Sequence, residues 1–218
     1  MIRASAQPRP LLGGHVSAAG GLYKAFENAA RIGAETIQIF GASPRQWSAN
    51  PPSTEAVETF NKARTTSAVK SFFLHAAYLV NLASGTAALR EKSIQSIISH
   101  LNIARLLGAQ GLIFHMGSCP LQVRAEGIEN TAAAMSEVLR RVPGETQLIM
   151  ENSAGGGGKM CNGPDELGII LEKVKSKRVK VCFDTQHAFA AGAIEEYSPD
   201  CIKKVFDEWG EALGLENI

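Results

Sequence analysis

Short apolar runs alternate with longer segments of helical periodicity along this 218-residue chain. Apolar runs of about this length are typical of strands that are buried on both faces of a sheet. They predict six strands, at residues 11–16, 36–40, 71–75, 111–115, 147–151 and 179–184. The segments between them carry apolar stripes at helical spacing. They predict a helix capped by Ser53 and further helices at residues 21–32, 87–107, 128–141, 165–174 and 199–213.

Regular alternation of strands and helices predicts an α/β fold with a parallel sheet. The even spacing of the strands favours a single (β/α) barrel of the TIM type over a doubly wound sheet, although both folds share this signature. A complete barrel of eight units takes about 250 residues, and this sequence provides six. We therefore expect a polar tail at residues 1–10, followed by one barrel domain at residues 11–218 with about six of its eight units. An open six-stranded sheet stays an alternative.

Composition narrows the class of protein without deciding the function. The net charge is +1, so no global field attracts the chain to nucleic acid or to a membrane. No apolar stretch has the roughly 18 residues of a membrane helix, and the amino terminus lacks the apolar core of a signal peptide. The four cysteines form no CxxC pair. These features predict a soluble, cytoplasmic protein with free thiols.

Chemically active side chains recur where the predicted strands end. His75, His115, Glu151 and Asp184 end four successive strands, and His187 follows three residues after Asp184. Neighbouring parallel strands lie about 4.8 Å apart, so these groups should converge on one arc of the barrel rim. So many imidazoles and carboxylates in a partly dry site call for a cation. Nitrogen and oxygen ligands without thiolate suit zinc, manganese or iron.

Four of the five histidines lie at or near predicted strand ends, because His15 also lies near the end of the first strand. The remaining one, His100, lies within a helix and is interpreted as structural. Glu151 stands between the other ligands and is the natural bridging carboxylate. Two bridged ions are typical of enzymes that hydrolyse phosphate esters.

Five segments together resemble the endonuclease IV family of apurinic/apyrimidinic endonucleases, in order and at the family's spacing. They are GHVSAAGG at 14–21, RQW at 45–47, HAAYLVNL at 75–82, MENSAG at 150–155 and DTQHAFAAG at 184–192. The resemblance implies a (β/α)₈ barrel that holds three zinc ions. It further implies hydrolysis of the phosphodiester 5′ to an abasic site in double-stranded DNA, leaving a 3′-hydroxyl, in base excision repair.

The resemblance also implies a role for each candidate residue. His75, His115 and Glu151 would hold one ion, Glu151 and Asp184 a second, and His187 the third, with Glu151 also acting in catalysis. Arg45 would enter the duplex beside the lesion. Tyr78 and Leu79 would wedge the base stack and favour the flipped-out nucleotide. A solvated arginine and two rim packing residues are the structural alternatives for the last three positions.

The family's ligands from its seventh and eighth strands have no counterpart before Ile218. We therefore expect one complete zinc site, exposed edges on the first and sixth strands that favour self-association, and lower activity than a complete family member. A non-catalytic protein that binds zinc and DNA, and a sugar isomerase or epimerase, are the alternative functions. Residues 155–158 are all glycine and precede Lys159, which is predicted to lie on a rim loop within reach of a DNA backbone.

Overall fold

The structure is a computed structural model that describes residues 9–218. Its single sheet is parallel and its strands follow the order of the chain. The strands are β1 (Gly13–His15), β2 (Thr36–Phe40), β3 (Ser71–His75), β4 (Gly111–Phe114), β5 (Gln147–Glu151) and β6 (Val179–Cys182). A doubly wound sheet reverses its strand order at a switch point. The unbroken order from β1 to β6 is that of a barrel wall, so the predicted (β/α) barrel fold is confirmed, with β1 and β6 as the edges of this sheet.

Within residues 9–218, one α-helix connects each pair of successive strands, and two further α-helices follow β6. They are α1 (Lys24–Arg31), α2 (Thr54–Thr65), α3 (Ala87–Leu107), α4 (Arg124–Arg141), α5 (Pro164–Val174), α6 (Thr185–Ala190) and α7 (Pro199–Leu213). Contacts run from α2 to α3, from α3 to α4, from α4 to α5 and from α5 to α7. This continuous layer of helices leaves the carboxyl ends of the strands free for a site.

The main core lies between the sheet and this helical layer. Phe60 of α2 contacts Phe26 of α1 and Phe72 of β3, with ring centroids 4.9 Å and 5.3 Å apart. All three rings are buried. Burying such a side chain stabilises a fold by about 1.5–3 kcal/mol. The helices are therefore fixed to the sheet by the apolar positions that predicted them.

Three strands agree with the sequence prediction and three are shorter. β2, β3 and β5 have the predicted bounds, whereas β1, β4 and β6 end at His15, Phe114 and Cys182. Both β1 and β6 are edge strands with a ladder on one side only, so fewer residues are held in the sheet. The predicted strand end at Asp184 is wrong, because Asp184 caps a helix instead.

The helix predictions err mainly at the amino-terminal ends. Helix α1 begins at Lys24 instead of residue 21, because Gly21 has a φ of 134°, outside the helical region. Helix α4 begins at Arg124, four residues before the prediction, after a short 3₁₀ turn. The cap of α2 is confirmed, since the Ser53 hydroxyl accepts a hydrogen bond from the Ala56 N–H at 3.2 Å.

Residues 1–8 of the predicted tail lie outside the described residues, so the division into tail and barrel domain stays a prediction. At the start of the described part, Arg9 Nη1 lies 2.6 Å from Glu35 Oε2. No helix within residues 9–218 combines the length and the hydropathy that a bilayer crossing requires.

Candidate metal centre

Five predicted ligands lie at the carboxyl ends of β3 to β6. His75 and Glu151 are the last residues of β3 and β5, and His115 directly follows β4. Asp184 is the N-cap of α6, whose first turn carries His187. The strand ends of a parallel barrel open onto the same rim, so the structure brings all five side chains together as predicted.

Glu151 and two histidines form the first group of donor atoms. His75 Nε2 lies 2.9 Å from Glu151 Oε2, and His115 Nε2 lies 3.5 Å from the same oxygen. One donor atom from each residue lies within 4.8 Å of the other two. His75 and Glu151 are buried, with exposed fractions of 4% and 7%. The group is therefore compact enough to hold one cation.

The ring of His75 meets an oxygen acceptor on both sides. Its Nδ1 lies 2.8 Å from the carbonyl oxygen of Ala76, and its Nε2 faces Glu151. A neutral imidazole carries only one N–H, and here that proton belongs on Nδ1 to donate to the carbonyl. The contact with Glu151 then needs either a second proton or a cation between the two atoms. Histidines that bind metals show this pattern, with one nitrogen bonded to a carbonyl and the other on the ion.

His115 has the properties of a neutral ligand. Burial lowers the pKa of His115, and the charge of His75 adds to this effect, although the carboxylate of Glu151 opposes it. Its Nδ1 is buried and makes no hydrogen bond to any of residues 9–218. The ring is therefore neutral near pH 7 and keeps a free lone pair, which is the form that binds a metal ion.

The other oxygen of Glu151 faces the second group. Glu151 Oε1 lies 3.6 Å from His187 Nδ1, which is 3.7 Å from Asp184 Oδ2. Donor atoms of Glu151, Asp184 and His187 again lie within 4.8 Å of one another. The remaining oxygen of Asp184 accepts a hydrogen bond from the backbone N–H of His187 at 2.8 Å. The helix cap thus fixes the carboxylate and the imidazole together.

Asn152, which has no predicted role, supports the second group through hydrogen bonds to Asp184 and His187. Its side chain donates to the carbonyl oxygen of Asp184 at 3.0 Å and accepts from the Asp184 N–H at 2.6 Å. Its own carbonyl oxygen accepts a hydrogen bond from His187 Nδ1 at 2.9 Å, which leaves Nε2 of that ring free. Asn152 is fully buried. The sequence feature that could have indicated this role is the position of Asn152, directly after Glu151 and within the segment 150–155.

The charges around the site fit a divalent cation. Burial raises the pKa of Glu151, but the hydrogen bond to His75 and the neighbouring histidines outweigh it, so the net shift is downward and the carboxyl stays ionised. Burial and the nearby carboxylates raise the pKa of Cys182 to about 12, which keeps this thiol protonated and outside the donor set. Imidazole nitrogens and carboxylate oxygens remain, and both suit zinc or manganese.

The other two histidines lie outside both groups. His15 Nδ1 lies 2.8 Å from Gln38 Nε2, and its ring packs on Phe40 with centroids 4.6 Å apart. His100 is fully buried within α3, where a structural role was expected. Within residues 9–218, neither belongs to a group of three or more donor residues.

The three predicted DNA contacts lie on exposed loops beside this centre. Tyr78 and Leu79 are 61% and 38% exposed, and Arg45 is exposed on the loop after β2. The Tyr78 N–H donates to the carbonyl oxygen of Pro44 at 3.0 Å, so the two loops are joined. A pocket of about 450 Å³ opens between the Tyr78 loop and the donor groups, and its lining includes Tyr78, Leu79, His115, Lys159 and His187.

Comparison with known proteins supports the same grouping. The family model described as xylose isomerase-like TIM barrel matches residues 26–218. A probable endonuclease 4 of Nitratidesulfovibrio vulgaris (strain DP4) is 36% identical over 185 residues, which cover 84% of this chain and 65% of that protein. A probable endonuclease 4 of Campylobacter curvus (strain 525.92) is 36% identical over 209 residues, covering 94% of this chain and 73% of that protein. The chain thus spans about two thirds to three quarters of the length of these relatives.

Comparison with solved structures indicates the same family and the same fold. Endonuclease IV from Thermus thermophilus matches with a TM-score of 0.81 and 33% identity, over 96% of this chain and 74% of that one. A D-tagatose 3-epimerase-like protein matches with a TM-score of 0.69 over 93% of this chain and 74% of that one, but at 18% identity this likeness shows the fold alone. The chain belongs to the endonuclease IV family, within the xylose isomerase-like TIM barrel proteins.

Proposed function

We propose that this chain is a zinc-dependent apurinic/apyrimidinic endonuclease of DNA base excision repair. It would hydrolyse the phosphodiester 5′ to an abasic site and leave a 3′-hydroxyl. One observation carries the proposal. The two oxygens of Glu151 face different donor groups, with Oε2 toward His75 and His115 and Oε1 toward His187. A carboxylate in that position would serve as a ligand to two ions, which is the arrangement that two-metal phosphodiesterases use.

Each ligand then has a role. His75, His115 and Glu151 would hold one ion, while Glu151 and Asp184 would hold the second. His187 would bind a third through its free nitrogen, although its nearest carboxylates are those of the second group. Bound zinc would supply Lewis acidity and an activated water. Manganese fits the same nitrogen and oxygen donors and is the second candidate.

The protein's own contribution is to hold these donors in place. Backbone carbonyls fix the rings of His75 and His187 through their Nδ1 atoms. Burial of the His75–Glu151 pair keeps water from competing for the ligand atoms. Preorganised polar groups of this kind need little rearrangement during the reaction, which is the main source of electrostatic catalysis.

The exposed loops supply the means of recognising a damaged duplex. Tyr78 and Leu79 line the pocket beside the donor groups, and each leaves much of its apolar surface in water. Side chains of this type enter a base stack and open it where a base is missing. Arg45 lies on the loop that Tyr78 contacts, so all three would meet the duplex together.

A sugar isomerase or epimerase shares the barrel and the strand-end ligands. The support for that function is a fold likeness at 18% identity. A small sugar gives no reason for exposed wedge residues on the pocket rim. Tyr78 and Leu79 therefore favour DNA as the substrate.

The direct test is incision of a duplex with one abasic site by the purified chain. We expect cleavage on the 5′ side of the site, abolished by EDTA, restored by added zinc and absent on an undamaged duplex. A polymerase should extend the product, because a 3′-hydroxyl remains. Cleavage that resists EDTA, or that occurs equally without the abasic site, would contradict the proposal. Binding of the abasic duplex without cleavage would instead support the alternative of a non-catalytic zinc- and DNA-binding protein.

A further inference from the structure

We infer that Lys159 contacts a backbone phosphate of the DNA strand that occupies the 450 Å³ pocket. The inference rests on the proposed function and deepens it, because it names a residue that neither donor group includes. Three features of the structure support it: a fixed backbone, an ammonium group with no carboxylate partner among residues 9–218, and a position on the pocket wall.

The backbone around Lys159 is held on both sides. A β-bridge joins it to Ser118, and the N–H of Cys119 donates to the carbonyl oxygen of Gly158 at 3.0 Å. The next residue, Met160, donates its N–H to the carbonyl oxygen of Gly117 at 2.9 Å. The base of the Lys159 side chain is therefore fixed against the loop that carries His115.

Arg124 also holds the backbone of this segment in place. Its guanidinium donates to the carbonyl oxygens of Gly158 and Lys159 at 2.8 Å and 2.7 Å, and it forms an ion pair with Glu166. That ion pair engages the carboxylate of Glu166. This carboxylate therefore does not compete with a DNA phosphate for the ammonium group of Lys159.

Glycines make this tight loop possible. All four residues from Gly155 to Gly158 have positive φ, between 56° and 75°. A side chain at Gly158 would bring its Cβ within 2.4 Å of the Cys119 carbonyl oxygen. Only glycine tolerates both the conformation and the close approach at Gly158, so the loop that precedes Lys159 depends on this residue.

The side chain itself is available. Lys159 is exposed, and it makes no ion pair with any carboxylate in the part of the chain that the structure describes. Of the described residues that line the pocket, it is the one lysine or arginine. A strand that brings a phosphodiester to His115 and His187 would place phosphates along this wall. An ammonium group there neutralises one phosphate and releases its counterion.

The test is equilibrium binding of Lys159→Gln to an abasic duplex with an uncleavable phosphorothioate 5′ to the lesion, measured over a range of salt concentrations. We expect affinity to fall on the order of fivefold at about 0.1 M salt, and the slope of log K against log salt to become less steep by about 1. Lys159→Arg should keep the slope of the natural chain. The matched control is Lys177→Gln, which removes one exposed charge between α5 and β6, at the opposite end of the strands.

The outcomes separate the inference from the proposed function. An unchanged slope in Lys159→Gln, or an equal change in Lys177→Gln, would overturn the role of Lys159 while the natural chain still prefers the abasic duplex. If the natural chain does not prefer the abasic duplex, the proposed function is contradicted, and the inference about Lys159 that rests on it is contradicted as well. Circular dichroism confirms that each variant is folded, which the exposure of both lysines leads us to expect.

Discussion

Two glutamates at opposite ends of the sheet are neutralised in different ways. Glu35 directly precedes β2 and meets permanent cations, with Arg9 Nη1 at 2.6 Å and Lys70 Nζ at 2.9 Å. Glu151 ends β5 and meets imidazoles, with His75 Nε2 at 2.9 Å and His115 Nε2 at 3.5 Å. The side chain of Glu35 is 19% exposed and that of Glu151 is 9% exposed.

At the amino ends of the strands, Glu35 forms ion pairs that stabilise the fold. At the carboxyl ends, Glu151 lies among side chains that are suited to chemistry. Arginine and lysine keep their charge at every physiological pH, so Glu35 needs nothing further. An imidazole gives up its proton near neutrality and then offers a lone pair. Glu151 and its histidines therefore form a charged group of donor atoms that could hold a metal ion. This contrast matches the general rule that barrels keep stability at the amino ends of the strands and chemistry at the carboxyl ends.

The largest effect should follow from Glu151→Gln. The amide keeps the shape of the side chain but removes the charge that both donor groups share. We expect zinc affinity and the incision rate to fall by at least about 100-fold, with little change in the folded structure. Metal content after dialysis and cleavage of abasic duplex measure the two quantities. If the variant keeps its zinc content and its incision rate, the proposed role of the Glu151 charge is contradicted.

The Asn152→Ala variant tests whether the Asn152 side chain holds Asp184 in the position that metal binding requires. It removes two hydrogen bonds to the backbone of Asp184. We expect about 10- to 100-fold weaker metal binding and a loss of about 1–3 kcal/mol in the free energy of unfolding. Titration calorimetry with zinc and urea denaturation measure the two. Asn162→Ala is the matched control, because Asn162 is exposed on the loop before α5. Equal effects in both variants would contradict this role for Asn152.

Glu35→Gln should affect stability and leave the chemistry unchanged. The variant loses two ion pairs at the far end of the sheet. We expect a lower melting temperature than in the natural chain, with the same zinc content and the same incision rate. A loss of zinc in Glu35→Gln would show that the two ends are not independent.

The smallest expected effect is a change in the stability of the fold at acid pH. Hydrogen bonds from Arg9 and Lys70 lower the pKa of Glu35 from 4.5 to about 2. A depressed carboxyl pKa stabilises the fold fully above 4.5, and that contribution is lost as pH falls toward 2. The urea midpoint of the natural chain should therefore exceed that of Glu35→Gln at neutral pH, and the gap should narrow through this window. A gap that stays constant would contradict the ion-pair explanation.

The sequence predicted the elements that are long or strongly apolar. Strands β2, β3 and β5 and helices α3 and α7 have the predicted bounds, since each shows its periodicity over enough residues. Those strand ends placed His75 and Glu151 correctly. Helix α6 was missed because its six residues are too few for a periodic stripe, and its cap depends on a hydrogen bond from His187 to Asp184.

The supporting contacts of the site were beyond a sequence argument. Asn152 bonds to residues 32 and 35 positions away, and no spacing rule connects them. The link between the Tyr78 loop and the Arg45 loop is a backbone hydrogen bond to Pro44, which leaves no trace in residue types. Ligand types could be predicted from composition at strand ends, whereas the atoms that orient them required coordinates.

Anomalous X-ray diffraction from crystals grown with zinc tests the central claim most directly. We predict one peak among His75, His115 and Glu151, a second between Glu151 and Asp184, and a third beside Nε2 of His187, each about 2.0–2.2 Å from its ligand atoms. Glu151 should contact the first two ions through different oxygens. Zinc bound elsewhere, or no peak between these five side chains, would contradict the account.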